Sequence, residues 1–282
     1  MTTPLVRPMQ RAELALALDW AAREGWNPGV HDADAFFAAD PEGFLLAELG
    51  GAPVGCIGAV SYARRFGVVG LAIVEPRWRG HGVGRSLWQR ALARLEGLPI
   101  GLDGAPSQQE HYRRSGFEFA WRNVRYAGVA RADGIDAAGT VALAAIPFAE
   151  VLADDLRVFP APRPAFLRAW LDLPDAIGFT QRYEEGGHFV CVVVRHYRVC
   201  FRIAPLVAGN AGAAQALFRA LCRRLPAGEP IELDVPQPNA AAVALAEAAG
   251  LAPVCETVRM YAGRVTPIEV DRVYGVASLE LG

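Results

Sequence analysis

The sequence contains no lysine; all 28 of its basic residues are arginine. That absence removes two kinds of site. A Walker phosphate loop needs Gly-Lys-Ser/Thr, and a pyridoxal Schiff base needs a lysine amine. No H-E-x-x-H or G-x-S-x-G run occurs, so neither a helix-borne zinc pair nor a nucleophile elbow is expected, and no metal site is read from the chain. No apolar run approaches 18 residues, which speaks against a membrane-spanning helix. The opening MTTPLVRPMQ lacks the charged-then-apolar order of a secretory leader. An excess of charge of either sign is missing too. The net charge is −2, whereas nucleic acid and anionic membranes both call for a basic face. Five cysteines (Cys56, Cys191, Cys200, Cys222 and Cys255) are odd in number, widely spaced and free of C-x-x-C. A reduced, cytoplasmic setting with buried thiols is the expectation.

What is present is a packed globular chain. Its 282 residues are 52% hydrophobic and 21% charged, enough for one large or two ordinary domains. One stretch organises the rest. Residues 68–74, VVGLAIV, read as a buried strand, and Pro76 stops it. Arg79-Gly80-His81-Gly82-Val83-Gly84 follows, then an amphipathic helix with Val83, Leu87, Trp88, Ala91, Leu92 and Leu95 on one face. Strand, glycine-rich turn and helix N-terminus together suit an anion. Glycines admit a phosphate close to the backbone, and free N–H groups and the positive end of the helix dipole point at it. Arg79 and Arg85 add charge. The dinucleotide pattern G-x-G-x-x-G does not apply, because Leu87 stands where its third glycine belongs.

This stretch resembles the pyrophosphate loop of the GNAT acetyltransferase superfamily, Gln/Arg-x-x-Gly-x-Gly/Ala. It is matched by Arg79, Gly82 and Gly84, with the V-x-P lead-in as Val74-Glu75-Pro76. A second landmark agrees: Tyr112-x-x-x-Gly116-Phe117 resembles the superfamily's Tyr-x-x-x-Gly-Phe, whose tyrosine lies beside the coenzyme A sulfur. One departure is Ala105, where an Asn usually opens the helix. The resemblance implies acetyl-CoA as co-substrate, with its pyrophosphate over the loop from Arg79 through Gly80, His81, Gly82, Val83 and Gly84 to Arg85. The main chain of Ile73 and Val74 would pair with the pantetheine arm, and Tyr112 would act as the acid for the leaving thiolate. The implied fold is an α/β (α+β) arrangement of mixed, mostly antiparallel sheet flanked by helices.

The second half repeats the first. Residues 116–128, GFEFAWRNVRYAG, match 250–263, GLAPVCETVRMYAG; Asp103 is set against Asp234, and Pro76 against Pro205. The expected organisation is an acetyltransferase domain over 1–132, a turn-rich linker over 133–140 and a degenerate copy over 141–282. Opposite Arg79, Gly82 and Gly84 stand Gly209, Gly212 and Ala214. Gln215 replaces Arg85, Ala246 replaces Tyr112, and Asn239 stands where the first half has Ala105. The implied activity is acetyl transfer to a small-molecule or peptide amine, by a monomer or homodimer, with the second half shaping the acceptor cleft. A non-catalytic acyl-CoA sensor or scaffold and a transferase of longer acyl groups are the alternatives. The general base is not readable. Asp103 ends the strand beside the motif and serves either catalysis or a turn. Trp26, Asn27, His31 and Asp32 fall in a region that the resemblance places along the acceptor cleft, while core packing and helix capping are their plainer roles.

Overall fold

The computed structural model describes residues 3–131, 140–174, 176–182, 189–196 and 198–282. Except for Thr140, the linker expected at 133–140 lies outside these residues. The first half runs through strand β1 (Leu5–Pro8), helices α1 (Leu14–Arg23) and α2 (Asp32–Ala39), and the hairpin of β2 (Phe44–Leu49) and β3 (Ala52–Tyr62). It continues with β4 (Phe66–Val74), α3 (Val83–Arg94), β5 (Ile100–Gly104), α4 (Gln109–Arg114) and β6 (Glu118–Val129). The second half holds β7 (Thr140–Ala142), α5 (Phe148–Val158), α6 (Pro164–Leu171), β8 (Ile177–Arg182), β9 (Phe189–His196) and β10 (Phe201–Val207). Then come α7 (Ala211–Cys222), β11 (Pro230–Pro236), α8 (Ala240–Ala248), β12 (Ala252–Ala262) and β13 (Val273–Gly275). Periodicity explains the helices: Val83, Leu87, Trp88 and Ala91 of α3 are all buried, as their three- and four-residue spacing requires.

The strands of the described residues form one continuous sheet in the order β1-β2-β3-β4-β5-β12-β6-β11-β10-β9-β8-β7, with β13 added to β10. Only β4–β5 and β10–β11 pair in parallel; the other pairs are antiparallel. The order holds an exchange. β5 pairs with β12 from the second half, and β11 pairs with β6 from the first. The two exchanged strands pair with each other along most of their length, and this joins the halves. Helix α6 also crosses over: Phe36 of α2 stacks on Trp170 of α6, with ring centroids 6.4 Å apart.

Each half contains a wedge. β4 and β5 pair only over Gly67–Ile100, Val68–Gly101 and Val69–Leu102, and then splay apart. β4 bulges at this point, where its register against β3 shifts between Gly70 and Ile73 and Leu71 takes a φ of 50°. β10 and β11 pair in the same way over Phe201–Ile231, Arg202–Glu232 and Ile203–Leu233, and β10 shifts register against β9 just after Ile203. Because Ile100 corresponds to Ile231, this register sets Pro205 against Leu71 and not against Pro76. β10 accordingly runs on through Pro205 to Val207.

Candidate active site

In the first half the wedge is open. A cavity of about 400 Å³ lies between the splayed strands, lined by Val69, Gly70, Leu71 and Ala72 of β4 and by Leu102, Asp103 and Gly104 of β5. Trp26, Trp88, Tyr112, Arg125 and Cys255 also line it, so all but one of its sides come from first-half residues and exchanged strands. The last side is the closing segment of the sequence, through Leu279 and Glu280.

Beyond the wedge β4 delivers the chain to α3. Ile73 is buried and pairs with Cys56, while Val74 pairs with Gly55, so both use the β3 side of β4. The loop that follows is exposed at Arg79, Gly80, His81, Gly82, Gly84 and Arg85, while Val83 turns inward. Gly82 begins α3 with a φ of 82°, a conformation that suits glycine. Having no side chain, it caps none of the first-turn N–H groups; the first helical bond there is Ser86 N–H to the Gly82 carbonyl at 3.1 Å. The main-chain donors of Val83, Gly84 and Arg85 therefore face outward beside two arginines. Arg79 donates from Nε to the Val74 carbonyl at 3.0 Å and pairs with Glu24, and His81 Nδ1 lies 2.9 Å from the Arg79 carbonyl. This loop fits an anionic phosphate group.

Tyr112 comes to the cavity from α4. Its ring lies against Gly104 and 5.6 Å from the ring of Trp88. Burial raises the phenol above its ordinary value near 10, although the Ala105 backbone works the other way. Asp103 also lines the cavity but is held on two sides. Arg259 of β12, its cross-strand neighbour, donates from Nε at 3.0 Å, and Asn123 donates at 2.7 Å. Burial pushes this carboxyl up to about 6, outweighing both donors.

The structure separates the four residues expected along the acceptor cleft. Trp26 lines the cavity. Asn27 points into the join between the halves, where its amide donates to Cys200 Sγ at 3.1 Å and to Glu232 at 3.4 Å. His31 is the N-cap residue of α2. Asp32 is buried and accepts from the Gly29 N–H at 2.8 Å. None of these last three lines the cavity. Glu280 and Cys255 are cavity residues that the sequence did not single out for the site; Cys255 reaches the wedge on the exchanged strand β12, and Glu280 through the close approach of its main chain to Gly70.

In the second half the equivalent wedge is filled. β13 lies in it, pairing with β10 at Leu206–Gly275 and Val207–Val273, and the Val276 N–H donates to the Asp234 carbonyl at 3.0 Å. The approach is so close that a Cβ on Gly275 would meet Leu233 Cδ1 at 2.5 Å. Asn239 holds this segment with donations to the Asp271 and Val273 carbonyls at 2.9 and 3.0 Å. Helix α7 also differs from α3, since Asn210 caps it by accepting from the Ala213 N–H at 3.0 Å.

Two family models match the chain: the acetyltransferase (GNAT) family over residues 12–117 and an acetyltransferase (GNAT) domain over residues 151–275. Holothin acyltransferase from a Pseudoalteromonas species is 29% identical over 276 residues, covering 98% of this chain and 94% of that protein. The crystal structure of a proposed acetyltransferase from Pyrococcus horikoshii aligns with a TM-score of 0.83 at 21% identity, covering 100% of this chain and 97% of the other. A tandem GNAT protein from the clavulanic acid biosynthesis pathway aligns with a TM-score of 0.64 at 15% identity, covering 92% and 98%. With a splayed β4–β5 wedge, an uncapped glycine turn onto α3 and a repeat of the same plan, the chain belongs to the GNAT acyltransferases and carries two GNAT units in tandem.

Proposed function

We propose that the chain transfers an acetyl group from acetyl-CoA to a primary amine, by direct attack within a ternary complex built on the first half. The observation that carries this is the contrast between the two wedges: one is open beside an uncapped, arginine-flanked helix start, and the other is filled by the chain's own β13. The pyrophosphate belongs on the donors of Val83, Gly84 and Arg85, with Arg79 and Arg85 supplying charge. Past Val69 the edge of β4 that faces β5 is unpaired, so Ile73 and Val74 flank the stretch where the pantetheine arm would add like a strand. The bound ammonium first gives a proton to solvent. The neutral amine nitrogen then forms a bond to the thioester carbonyl carbon, the carbon–sulfur bond breaks, the nitrogen loses its second proton to solvent, and the thiolate takes a proton. Holding both reactants in one cavity supplies much of the rate. The second half shapes the acceptor side through β12 and the closing segment. Similarity to a protein named for acylating holothin supports acyl transfer as the reaction.

The direct test is thiol release from acetyl-CoA across a panel of amines. Release that depends on the amine is the expected result; binding without release under any amine would fit a sensor. Isothermal calorimetry should also give one acetyl-CoA per chain, because the second wedge holds β13 and the start of α7 is already capped. Two sites of similar affinity would refute the assignment to one half.

Tyr112 is the proposed acid. A phenol raised above 10 stays protonated at neutral pH, so its proton is in place when the thiolate leaves; ordinary thiols lie near 8.5, so the transfer is uphill by more than one unit and is completed when the phenoxide regains a proton from solvent. Tyr112→Phe keeps the ring against Gly104 and removes the proton. We expect kcat to fall by about 10- to 100-fold, with little change in KM for acetyl-CoA. An unchanged kcat where chemistry limits turnover would make Tyr112 a packing residue.

A further inference from the structure

Four carboxylates line the open wedge: Glu24, Asp103, Glu256 and Glu280. Three of them face arginines, in the pairs Glu24–Arg79, Asp103–Arg259 and Glu256–Arg122. Glu280 has no arginine partner among the described residues; its Oε2 accepts from the Ser278 hydroxyl at 2.7 Å. Arg125, the basic residue of the cavity lining, is held by both oxygens of Asp234 at 2.7 and 2.9 Å. The open wedge therefore presents one carboxylate whose charge is not answered by a cation.

Glu280 is also firmly placed. The N–H groups of Glu280 and Leu281 both donate to Ser278 Oγ, at 3.1 and 3.2 Å. The Tyr62 hydroxyl donates to the Leu281 carbonyl at 3.1 Å, and Leu281 is 1% exposed. On the other side the Glu280 main-chain oxygen is so close to Gly70 that a Cβ there would collide with it. This seats the residue at the bulge of β4, where the wedge opens. The nearby walls are apolar, with Trp26, Leu71 and Leu279.

We propose that Glu280 is the acceptor-binding carboxylate of the wedge, and that the acceptor is a primary amine on an apolar body, bound as its ammonium ion. The proposal rests on the acyl-transfer reading of the same cavity. A carboxylate without a cation, in a half-buried apolar setting, attracts an ammonium group more strongly than water-exposed carboxylates do. It gives no such advantage to a hydroxyl of the same shape. The second half thus contributes the specificity group of a site whose donor side lies in the first.

Phenethylamine and 2-phenylethanol make a matched pair of probes, alike in shape and different in charge. Each would be titrated by calorimetry into the full chain in the presence of coenzyme A at pH 7.5. The amine should bind at least about tenfold tighter than the alcohol, as expected for a charge-assisted hydrogen bond. Glu280→Gln, which keeps an acceptor for Ser278, should erase that preference. Equal binding of the two probes, no binding of either, or a preference that survives Glu280→Gln would each overturn the proposal. A separate acetyl-CoA titration distinguishes the causes. Loss of acetyl-CoA binding in the wild-type chain refutes the acyl-transfer reading, whereas intact binding without an amine preference refutes Glu280 alone.

Discussion

Gly82→Glu should leave the protein folded and abolish acetyl-CoA binding. The position is open, since a Cβ built on Gly82 meets nothing within 4 Å. The fold therefore suffers only the left-handed backbone conformation, about 1–2 kcal/mol for a residue with a Cβ. The site suffers far more. A carboxylate would stand at the start of α3, in front of the Val83, Gly84 and Arg85 donors, where the helix dipole and two arginines draw in negative charge. It would compete for those donors and repel the phosphates. Gly82→Ala carries the same backbone strain without the charge, so its affinity should fall far less than that of Gly82→Glu. Gly84→Glu is the independent check. A Cβ there makes only an ordinary contact, 3.5 Å from Val74 Cγ2, and the loss of binding should be just as complete. A folded Gly82→Glu protein that binds acetyl-CoA normally would remove the pyrophosphate from this loop.

The parts legible in the sequence were those whose signal is local. The strand at 68–74, the stop at Pro76 and the α3 face of Val83, Leu87, Trp88 and Ala91 follow from spacing alone, and the structure has all of them. The repeat was legible as well, because Gly116 and Gly250 open nearly matching strands. What that likeness could not reveal is which strand pairs where. β6 carries Val124-Arg125-Tyr126-Ala127-Gly128 and β12, running into Gly263, the near match Val258-Arg259-Met260-Tyr261-Ala262-Gly263, so either could complete either half, and only the folded chain shows the exchange. β13 and Glu280 were missed for a related reason. Three strand residues and a short turn carry no periodicity, and their place is set by a wedge made elsewhere. Asn27 shows the same limit at a single residue: the resemblance set it along the acceptor cleft, but could not show the Cys200 and Glu232 partners that the second half brings to it.

The exchange is held by two ion pairs that mirror one another, and they should respond differently to mutation and pH. Arg125 of β6 lies opposite Asp234 of β11, and Arg259 of β12 lies opposite Asp103 of β5, each in direct cross-strand register. Each carboxylate thus meets the arginine of the other half. Asp234 has a second arginine, Arg202, with its Nε 4.0 Å away. Burial opposes ionisation of Asp234, but the two arginines outweigh it and hold its carboxyl below the usual range. At Asp103 a single arginine does not outweigh burial, and the carboxyl sits at about 6. Asp234→Asn should therefore cost about 3 kcal/mol at pH 7. That is the low end for breaking a buried pair, because Glu232 remains 3.8 Å from Arg125. The stability that Asp234 gains from its lowered carboxyl is fully present above its unfolded value near 3.9 and is lost as pH falls through the folded value. The gap between wild type and Asp234→Asn should hold from pH 7 to about 5 and close in stronger acid. Asp103 has the opposite sign. Its folded value lies above its unfolded one, so wild type should lose ground to Asp103→Asn as pH rises from about 4 to 6. Urea unfolding of both variants and wild type across this range measures the two trends. If both gaps moved the same way with pH, the second arginine would not distinguish the two pairs, and the exchanged strands would be held alike at both crossings.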